Sequence, residues 1–303
     1  MPGCDILVTG ARGFVGRHVL ERARAAGLDA RATNGDLCES AVVDAELAAA
    51  RPRAVVHLAA APRLGAPWAA LAADVSMAGA LLRGVARHAP DAPVLVAGSA
   101  AQYGMGARRP LAECDATDPI SAYGALKSVI ERAVLSTPLR EDVRVIFTRS
   151  FNHIGPGQGA DAPAGRWARE VVDAEAAGGG TVRTGDLSAV RDFLDVRDVA
   201  DAYIALVRSS ADGVVNVCSG VGVPVARVAE ALVRHSSVAV ALQVDPSLVR
   251  AVDPPYVVGD PALLRKLTGW SPRVSLERSA EDLLAVCRHD RATTAAAVPA
   301  VAS

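Results

Sequence analysis

Short, continuously apolar runs alternate with longer amphipathic stretches along most of the chain. Asp5–Gly10, Ala54–Ala60, Pro93–Ser99 and Val143–Thr148 are of strand length and lack a polar face, as strands covered on both sides do, and Leu28–Thr33 reads as a further strand. Between them, Arg17–Ala26, closed by Gly27, and the alanine- and leucine-rich Asp74–His88 have the length and composition of helices. Asp195–Ser209 reads as a further helix and Gly213–Cys218 as a strand that returns to the sheet. Phe151–Gly159, dense in Gly and Pro, reads as a loop. Strand and helix alternating without a repeat period predict an α/β fold, a doubly wound parallel sheet. The expected division is a main domain of residues 1–150 and 191–218, and a smaller, discontinuous α/β domain of 151–190 and 219–290. Residues 291–303, rich in Ala, Thr and Val without pattern, read as a frayed tail.

Composition narrows the class. At 303 residues the chain suffices for one large domain or a domain and a half with a substantial core. Hydrophobic residues make up 51% and the mean hydropathy is +0.24, yet no run approaches the roughly eighteen apolar residues of a membrane span. The apolar content is therefore assigned to the core, with no membrane partner. A net charge of −1, with acids and bases interspersed, gives no nucleic-acid footprint and favours a small soluble substrate. Cys4, Cys38, Cys114, Cys218 and Cys287 are odd in number, scattered and without Cys-x-x-Cys spacing, so neither a disulfide framework nor a metal site is expected. The start, Met-Pro-Gly-Cys-Asp, has no basic segment followed by an apolar one, and a cytoplasmic location follows as the expectation.

Two patterns carry chemistry. The first strand runs into Gly10-Ala-Arg-Gly13-Phe-Val-Gly16, which opens a helix. Glycines so placed permit a tight turn, close backbone approach to a pyrophosphate and close packing of helix on strand, so this is the expected dinucleotide site of a Rossmann-type sheet. Counting on to the carboxylate that would meet a ribose 2′-OH reaches either Asn34 or Asp36. If Asp36 lies farther along, near the adenine, no acid at the strand end repels a 2′-phosphate and Arg12 is placed to pair with it. This favours NADP(H), with NAD(H) as the alternative. The second pattern is Tyr123 and Lys127, four residues apart and so on one helix face. A phenol with an ordinary pKa of about 10 becomes a usable acid–base group when an ammonium beside it favours the phenolate. Ser99 stands at the carboxyl end of its strand, where open α/β sheets place ligands. His57 is expected to be a hydrogen-bonded histidine at a strand end, and His153 a structural or substrate-contact residue rather than the proton donor.

Thr9-Gly-x-x-Gly13-x-x-Gly16, His57-Leu-Ala-Ala60, Gly98-Ser-Ala-Ala-Gln-Tyr-Gly104 and Tyr123-x-x-x-Lys127 together resemble the extended short-chain dehydrogenases that act on nucleotide sugars. The resemblance spans nearly the whole chain. Arg149–Gln158, Val190–Asp198, Tyr203, Val215–Gly220, Asp245–Arg250 and Gly259–Trp270 are similar to the 4-ketoreductases of that family in particular. The resemblance implies a catalytic Ser99, Tyr123 and Lys127: Tyr123 as proton donor, Ser99 bonded to the same oxygen, Lys127 on the cofactor ribose. It implies cofactor contacts from Gly10, Arg12, Gly13, Phe14, Val15, Gly16, Asp36, Leu37, Leu58, Ala59 and Ala60. Substrate contacts implied are Asn152, Arg191 and Arg250 on the diphosphate of a nucleotide-diphosphate sugar, and the relatives' mode of pairing implies a homodimer. Ala100 and Ala101 stand where the family's dehydratases carry an acidic pair, so dehydration has no agent. The expected activity is NADPH-dependent reduction of an NDP-4-keto-6-deoxyhexose. Its rivals are an NAD-retaining 4-epimerase with the same three residues and a non-catalytic dinucleotide sensor.

Overall fold

A computed structural model describes residues 3–61, 67–249 and 251–297. In chain order the first half forms β1 (Ile6–Thr9), α1 (Phe14–Ala25), β2 (Ala30–Ala32), α2 (Ser40–Ala50), β3 (Val55–His57), α3 (Pro67–His88), β4 (Val94–Ala97), a 3₁₀ turn (Ala100–Tyr103), α4 (Ala122–Leu135) and β5 (Val145–Ser150). The second half adds β6 (Asn152–Ile154), α5 (Pro163–Ala177), β7 (Gly180–Thr184), β8 (Val190–Asp195), α6 (Val196–Val207), β9 (Gly213–Val217), β10 (Gly222–Pro224), α7 (Val225–Arg234), β11 (Val240–Val244), β12 (Tyr256–Val257), α8 (Ala262–Thr268) and α9 (Leu276–Ala297).

Six strands pair in the order β2-β1-β3-β4-β5-β9, every pair parallel. Successive side chains of a strand point to opposite faces, so the apolar runs feed two cores at once. Ile6, Val8, Val56, Leu95 and Ile146 meet Val199, Tyr203 and Leu206 of α6 on one side. Leu7, Val55, Val94, Val145 and Phe147 meet α2, α3 and α4 on the other. Both faces being covered is why these strands carry no polar alternation.

A second body of structure follows β5. β8 pairs with β6 and β12 in parallel and with β10 in antiparallel register, while β7 pairs with β11. Trp167, Val171, Leu232, Leu283 and Leu284, from α5, α7 and α9, form its apolar core with Val182. The buried Asp192 carboxylate accepts from Ser219 N, Ser219 Oγ and Gly220 N at 2.7–2.9 Å, tying β8 to the chain as it leaves β9.

Three expectations need amending. Phe151–Gly159 is not all loop: Asn152–Ile154 pairs with Phe193–Asp195 as β6. The helix expected over Asp74–His88 begins at Pro67, and its part from Trp68 to His88 is long and apolar enough, by length and composition, to cross a membrane. Asp74, Ser76, Arg83 and Arg87 interrupt it, which hides that length from a count of uninterrupted apolar positions. Half of the segment is buried, with Met77, Leu81, Leu82 and Val85 packed in the second core. The segment 291–303 continues α9 as helix to Ala297, since alanine-rich sequence favours helix and Thr293 and Thr294 return their hydroxyls to the carbonyls of His289 and Asp290. Residues 298–303 lie outside the described residues.

Candidate active site

The glycine loop lies where β1 and β3, neighbours in the sheet, end side by side. Gly10 has φ +65°, and a Cβ there would lie 2.6 Å from Ala59 N. A Cβ on Gly16 would meet Gly10 O at 2.3 Å. Side chains are thus excluded at both positions, and what remains is bare backbone facing the first turn of α1. Gly13 caps that helix without a side-chain acceptor, and no acid stands in the first turn, so Phe14, Val15 and Gly16 open it with their amides available to an anion. Arg12 is exposed on the loop. A cradle that any Cβ would fill, at an uncapped helix start, fits the diphosphate of a dinucleotide.

The opposite wall is held by β1's last residue. Thr9 Oγ1 accepts from Leu58 N and Ala59 N, both at 3.1 Å, and so turns its single hydrogen to His57 Nδ1 at 2.8 Å. That nitrogen is then unprotonated. Burial, with Lys127's charge adding to it, pushes the His57 pKa down to about 4, so the ring is neutral and structural, as expected. Asp74 on α3 accepts from Ala61 N at 2.6 Å and fixes the segment Leu58-Ala59-Ala60, which follows β3, from its far end.

At the end of β2 the sequence argument for NADP(H) changes. Asp36 accepts from Cys38 N at 2.9 Å in a local turn, and Leu37 beside it is buried. Yet the strand end is not free of acid: Glu46 of α2 reaches back, its Oε1 accepting from Asn34 N and Gly35 N at 2.9 and 3.0 Å. The carboxylate comes from the following helix, where a count along the strand does not look.

Ser99 follows β4 and caps the 3₁₀ turn, its Oγ accepting from Ala101 N at 3.2 Å, which leaves the hydroxyl hydrogen for donation. Tyr123 sits in the first turn of α4, capped by Ser121. Gly124 lets that helix approach closely, since a Cβ there would lie 2.4 Å from Ala101 O. Lys127 is buried, donates to Ala97 O at 3.0 Å and lies 6.0 Å from the centre of the Tyr123 ring. Ser99 and Tyr123 line one cleft of ≈ 460 Å³ together with the apolar Ala100, Ala101 and Ile120 and with Asn152 and Arg191.

Asn152 Nδ2 donates to Asp192 O at 3.1 Å. Arg191, its side chain 13% exposed, pairs with Asp253 at 3.0 Å and donates to Val190 O at 2.9 Å. Arg250 lies outside the described residues. Tyr203 is buried in the core, its hydroxyl 2.7 Å from Ser150 Oγ. His153 is held neutral by burial, its pKa lowered to about 4. Asp253, in the cleft against Arg191, is a residue that the sequence reading missed, as is Glu46; no local motif marks either of them. A cavity of similar size, ≈ 450 Å³, lies between α5 and α9 with Arg169, Asp173 and Cys287 on its walls and shares no residue with this cleft.

The model of the NAD dependent epimerase/dehydratase family matches residues 6–218. The chain is 30% identical over 291 residues to GDP-6-deoxy-D-mannose reductase of Pseudomonas aeruginosa, covering 92% of this chain and 95% of the relative. It is 30% identical over 221 residues to a probable UDP-arabinose 4-epimerase of Arabidopsis thaliana, covering 66% of this chain and 53% of that one. Among solved structures, RMD from Pseudomonas aeruginosa complexed with NADPH superposes with a TM-score of 0.85 at 28% identity, over 95% of this chain and 99% of the other.

Proposed function

The chain belongs to the NAD-dependent epimerase/dehydratase family, and from that premise we propose that it reduces the 4-keto group of an NDP-4-keto-6-deoxyhexose with NAD(P)H. The carrying observation is that one cleft is lined by Ser99 and Tyr123, by Arg191 and Asn152, and by Ala100, Ala101 and Ile120. The two hydroxyls suit a sugar oxygen, the guanidinium and the amide suit a diphosphate, and the apolar lining suits a sugar that has lost its 6-hydroxyl. The similarity to the Pseudomonas reductase supports the same reading.

The dinucleotide, held by Gly10, Gly13, Gly16 and the start of α1, supplies the hydride when bound. The rest is the work of side chains. Ser99 donates its hydroxyl hydrogen to the substrate carbonyl oxygen, and Tyr123 gives that oxygen its proton as charge develops. Lys127, anchored on Ala97 O, keeps its ammonium beside the phenolate that remains. Arg191 exchanges Asp253 for the substrate's diphosphate, and Asn152 adds its amide. No acid or base stands at Ala100 or Ala101 to remove water.

A second reading, an NAD-retaining 4-epimerase, is favoured by Glu46, whose carboxylate at the end of β2 disfavours a 2′-phosphate. Incubating the purified protein with dTDP-, GDP- and UDP-4-keto-6-deoxyhexoses separates them. Stoichiometric oxidation of NAD(P)H supports the reductase; tightly held NAD with no net oxidation, and 4-epimerisation of a nucleotide sugar, supports the epimerase. Tyr123→Phe should lower the rate about a thousandfold while cofactor still binds, and an unchanged rate would refute the mechanism. By the same resemblance the protein acts in the cytoplasm as a homodimer through α3 and α4, and Val129 of α4 is 44% exposed. Sedimentation of the purified chain tests this.

A further inference from the structure

Behind the cleft, buried polar groups connect the turn that carries Ser99 to the helix that carries Tyr123 and Lys127. Gln102, with no exposed surface, accepts from Ser99 N through Oε1 at 3.2 Å and donates from Nε2 to Glu131 Oε2 at 2.7 Å. Glu131 follows Tyr123 and Lys127 at the same four-residue step, so all three share one face of α4. Its carboxylate is gripped from β5 by Arg149, Nη2 to Oε1 at 2.6 Å and Nε to Oε2 at 2.9 Å, with the two side chains 6% and 12% exposed.

Arg149 is itself fixed on two further sides. Its Nη1 donates to Glu113 O at 3.2 Å, and its guanidinium lies 4.8 Å from the Tyr103 ring centre. Tyr103 in turn donates to Asn216 Oδ1 at 2.8 Å. Burial works against the Arg149 charge, and the bonds and charges of Glu131 and Tyr103 together more than offset it, so its pKa is raised. The result is a charged, bidentate anchor that spans β5 and α4, with Gln102 extending it to the Ser99 backbone.

The residue type matters. A carboxamide offers an acceptor to an amide N–H and a donor to a carboxylate at once. A glutamate in its place would set two carboxylates 2.7 Å apart, and an apolar side chain would leave Ser99 N–H and one Glu131 lone pair unpartnered. Gly124 shows that α4 and the turn are in backbone contact, so a small shift of either moves the two hydroxyls relative to each other.

We propose that Gln102 is a positioning residue for the reaction: through Glu131 and Arg149 it locks the Ser99 turn to α4 and sets how the Ser99 and Tyr123 hydroxyls converge on one substrate oxygen. The proposal rests on the reading of Ser99 and Tyr123 as the working pair. It goes beyond the roles assigned to those two residues, because Gln102 reaches the substrate only through them.

The test uses the full chain. Gln102→Met should lower kcat about 30-fold with KM for the nucleotide sugar unchanged, the pattern of misplaced rather than missing groups. In a Ser99→Ala background the same substitution should cost less than about threefold more, because its effect passes through Ser99. Gln102→Glu alone should be slow at neutral pH and recover as the pH falls and one proton is shared between the two carboxylates. Multiplicative losses for Ser99→Ala and Gln102→Met, or a raised KM at constant kcat, would overturn the proposal. If the parent protein oxidises no NAD(P)H with any sugar, the reductase reading falls. The positioning role is then decided by hydrogen exchange: Ser99 N–H should lose protection in Gln102→Met, and unchanged protection would overturn it.

Discussion

At the glycine-loop end, from Gly10 to Ala61, shape is made by backbone: two glycines that tolerate no Cβ, an uncapped helix start, and strand ends stitched by Thr9 and Asp74. At the other end, Asn152, Arg191 and Asp253 come from three separate segments and meet through side chains. A backbone cradle is rigid and indifferent to what lies beyond the phosphate it holds. A pair of opposed side chains is selective and exchangeable, since Arg191 already has an anionic partner that a ligand must replace. The first arrangement suits a cofactor common to many chemistries, the second a substrate that differs from relative to relative.

The sharpest way to break this contrast is to put a side chain into the cradle. Gly10→Ala forces a Cβ to within 2.6 Å of Ala59 N at a φ of +65°. Strain of about 1–3 kcal/mol from φ alone, with the clash added, should raise the dissociation constant for NAD(P)H at least about a hundredfold. Equilibrium binding followed by nucleotide fluorescence measures it. An affinity within threefold of the parent would mean that the loop is not the dinucleotide site.

Acid should then loosen both ends together. His57 and His153 are each lowered to about 4 by burial, against 6.5 when exposed. The folded state therefore binds fewer protons than the unfolded chain between those values, and stability rises with pH across that window. Each histidine contributes up to about 3 kcal/mol that is fully present above pH 6.5 and lost as the pH falls toward 4. Urea midpoints at pH 7 and pH 5 should differ in that direction, and His57→Gln should remove part of the slope. A flat profile would show that the rings are hydrated rather than buried.

How much of this was legible in the sequence follows from the same contrast. The parallel sheet, the glycine loop and the Tyr123–Lys127 face depend on residues close in sequence, so spacing alone exposes them. His57 was readable as structural because an apolar strand end has no other use for a lone histidine. Glu46, Gln102 and Asp253 were not readable. Gln102 and Glu131 are 29 residues apart, and only the docking of α4 on the 3₁₀ turn makes them partners. Asn152–Ile154 has strand pairing because β8 arrives alongside it, which a Gly- and Pro-rich context conceals. Similarly, alanines that look patternless past Arg291 continue α9, because helix propensity needs no amphipathic pattern once a packed helix precedes it.

At the substrate end, a smaller effect is expected. Arg191→Ala removes charge-assisted hydrogen bonds to a diphosphate, each of about 1.5–3 kcal/mol, and should raise KM for the nucleotide sugar about 30-fold with kcat nearly unchanged. Arg191→Lys should recover only part, since an ammonium lacks the planar fork. Steady-state kinetics with saturating cofactor decide it. A fall in kcat at constant KM would place Arg191 with the reacting oxygen instead of the diphosphate, and the division between the two ends would fail.

The smallest expected change probes the carboxylate that the end of β2 borrows from α2. Glu46 bonds two amides at the close of β2, which are the donors that a 2′-phosphate would otherwise find there. Glu46→Gln keeps an acceptor for Asn34 N and Gly35 N while removing the charge, so the turn should stay in place. Loss of one nearby negative charge at a partly solvated site changes the binding of a phosphate dianion by about 1 kcal/mol. The ratio of kcat/KM for NADPH to that for NADH should therefore rise about fivefold, carried by NADPH and not by NADH. Arg12→Ala should move the same ratio the opposite way if Arg12 pairs with the 2′-phosphate. Should both ratios stay fixed, the adenosine end is read neither by charge nor by this turn, and the cradle's indifference extends along the whole cofactor.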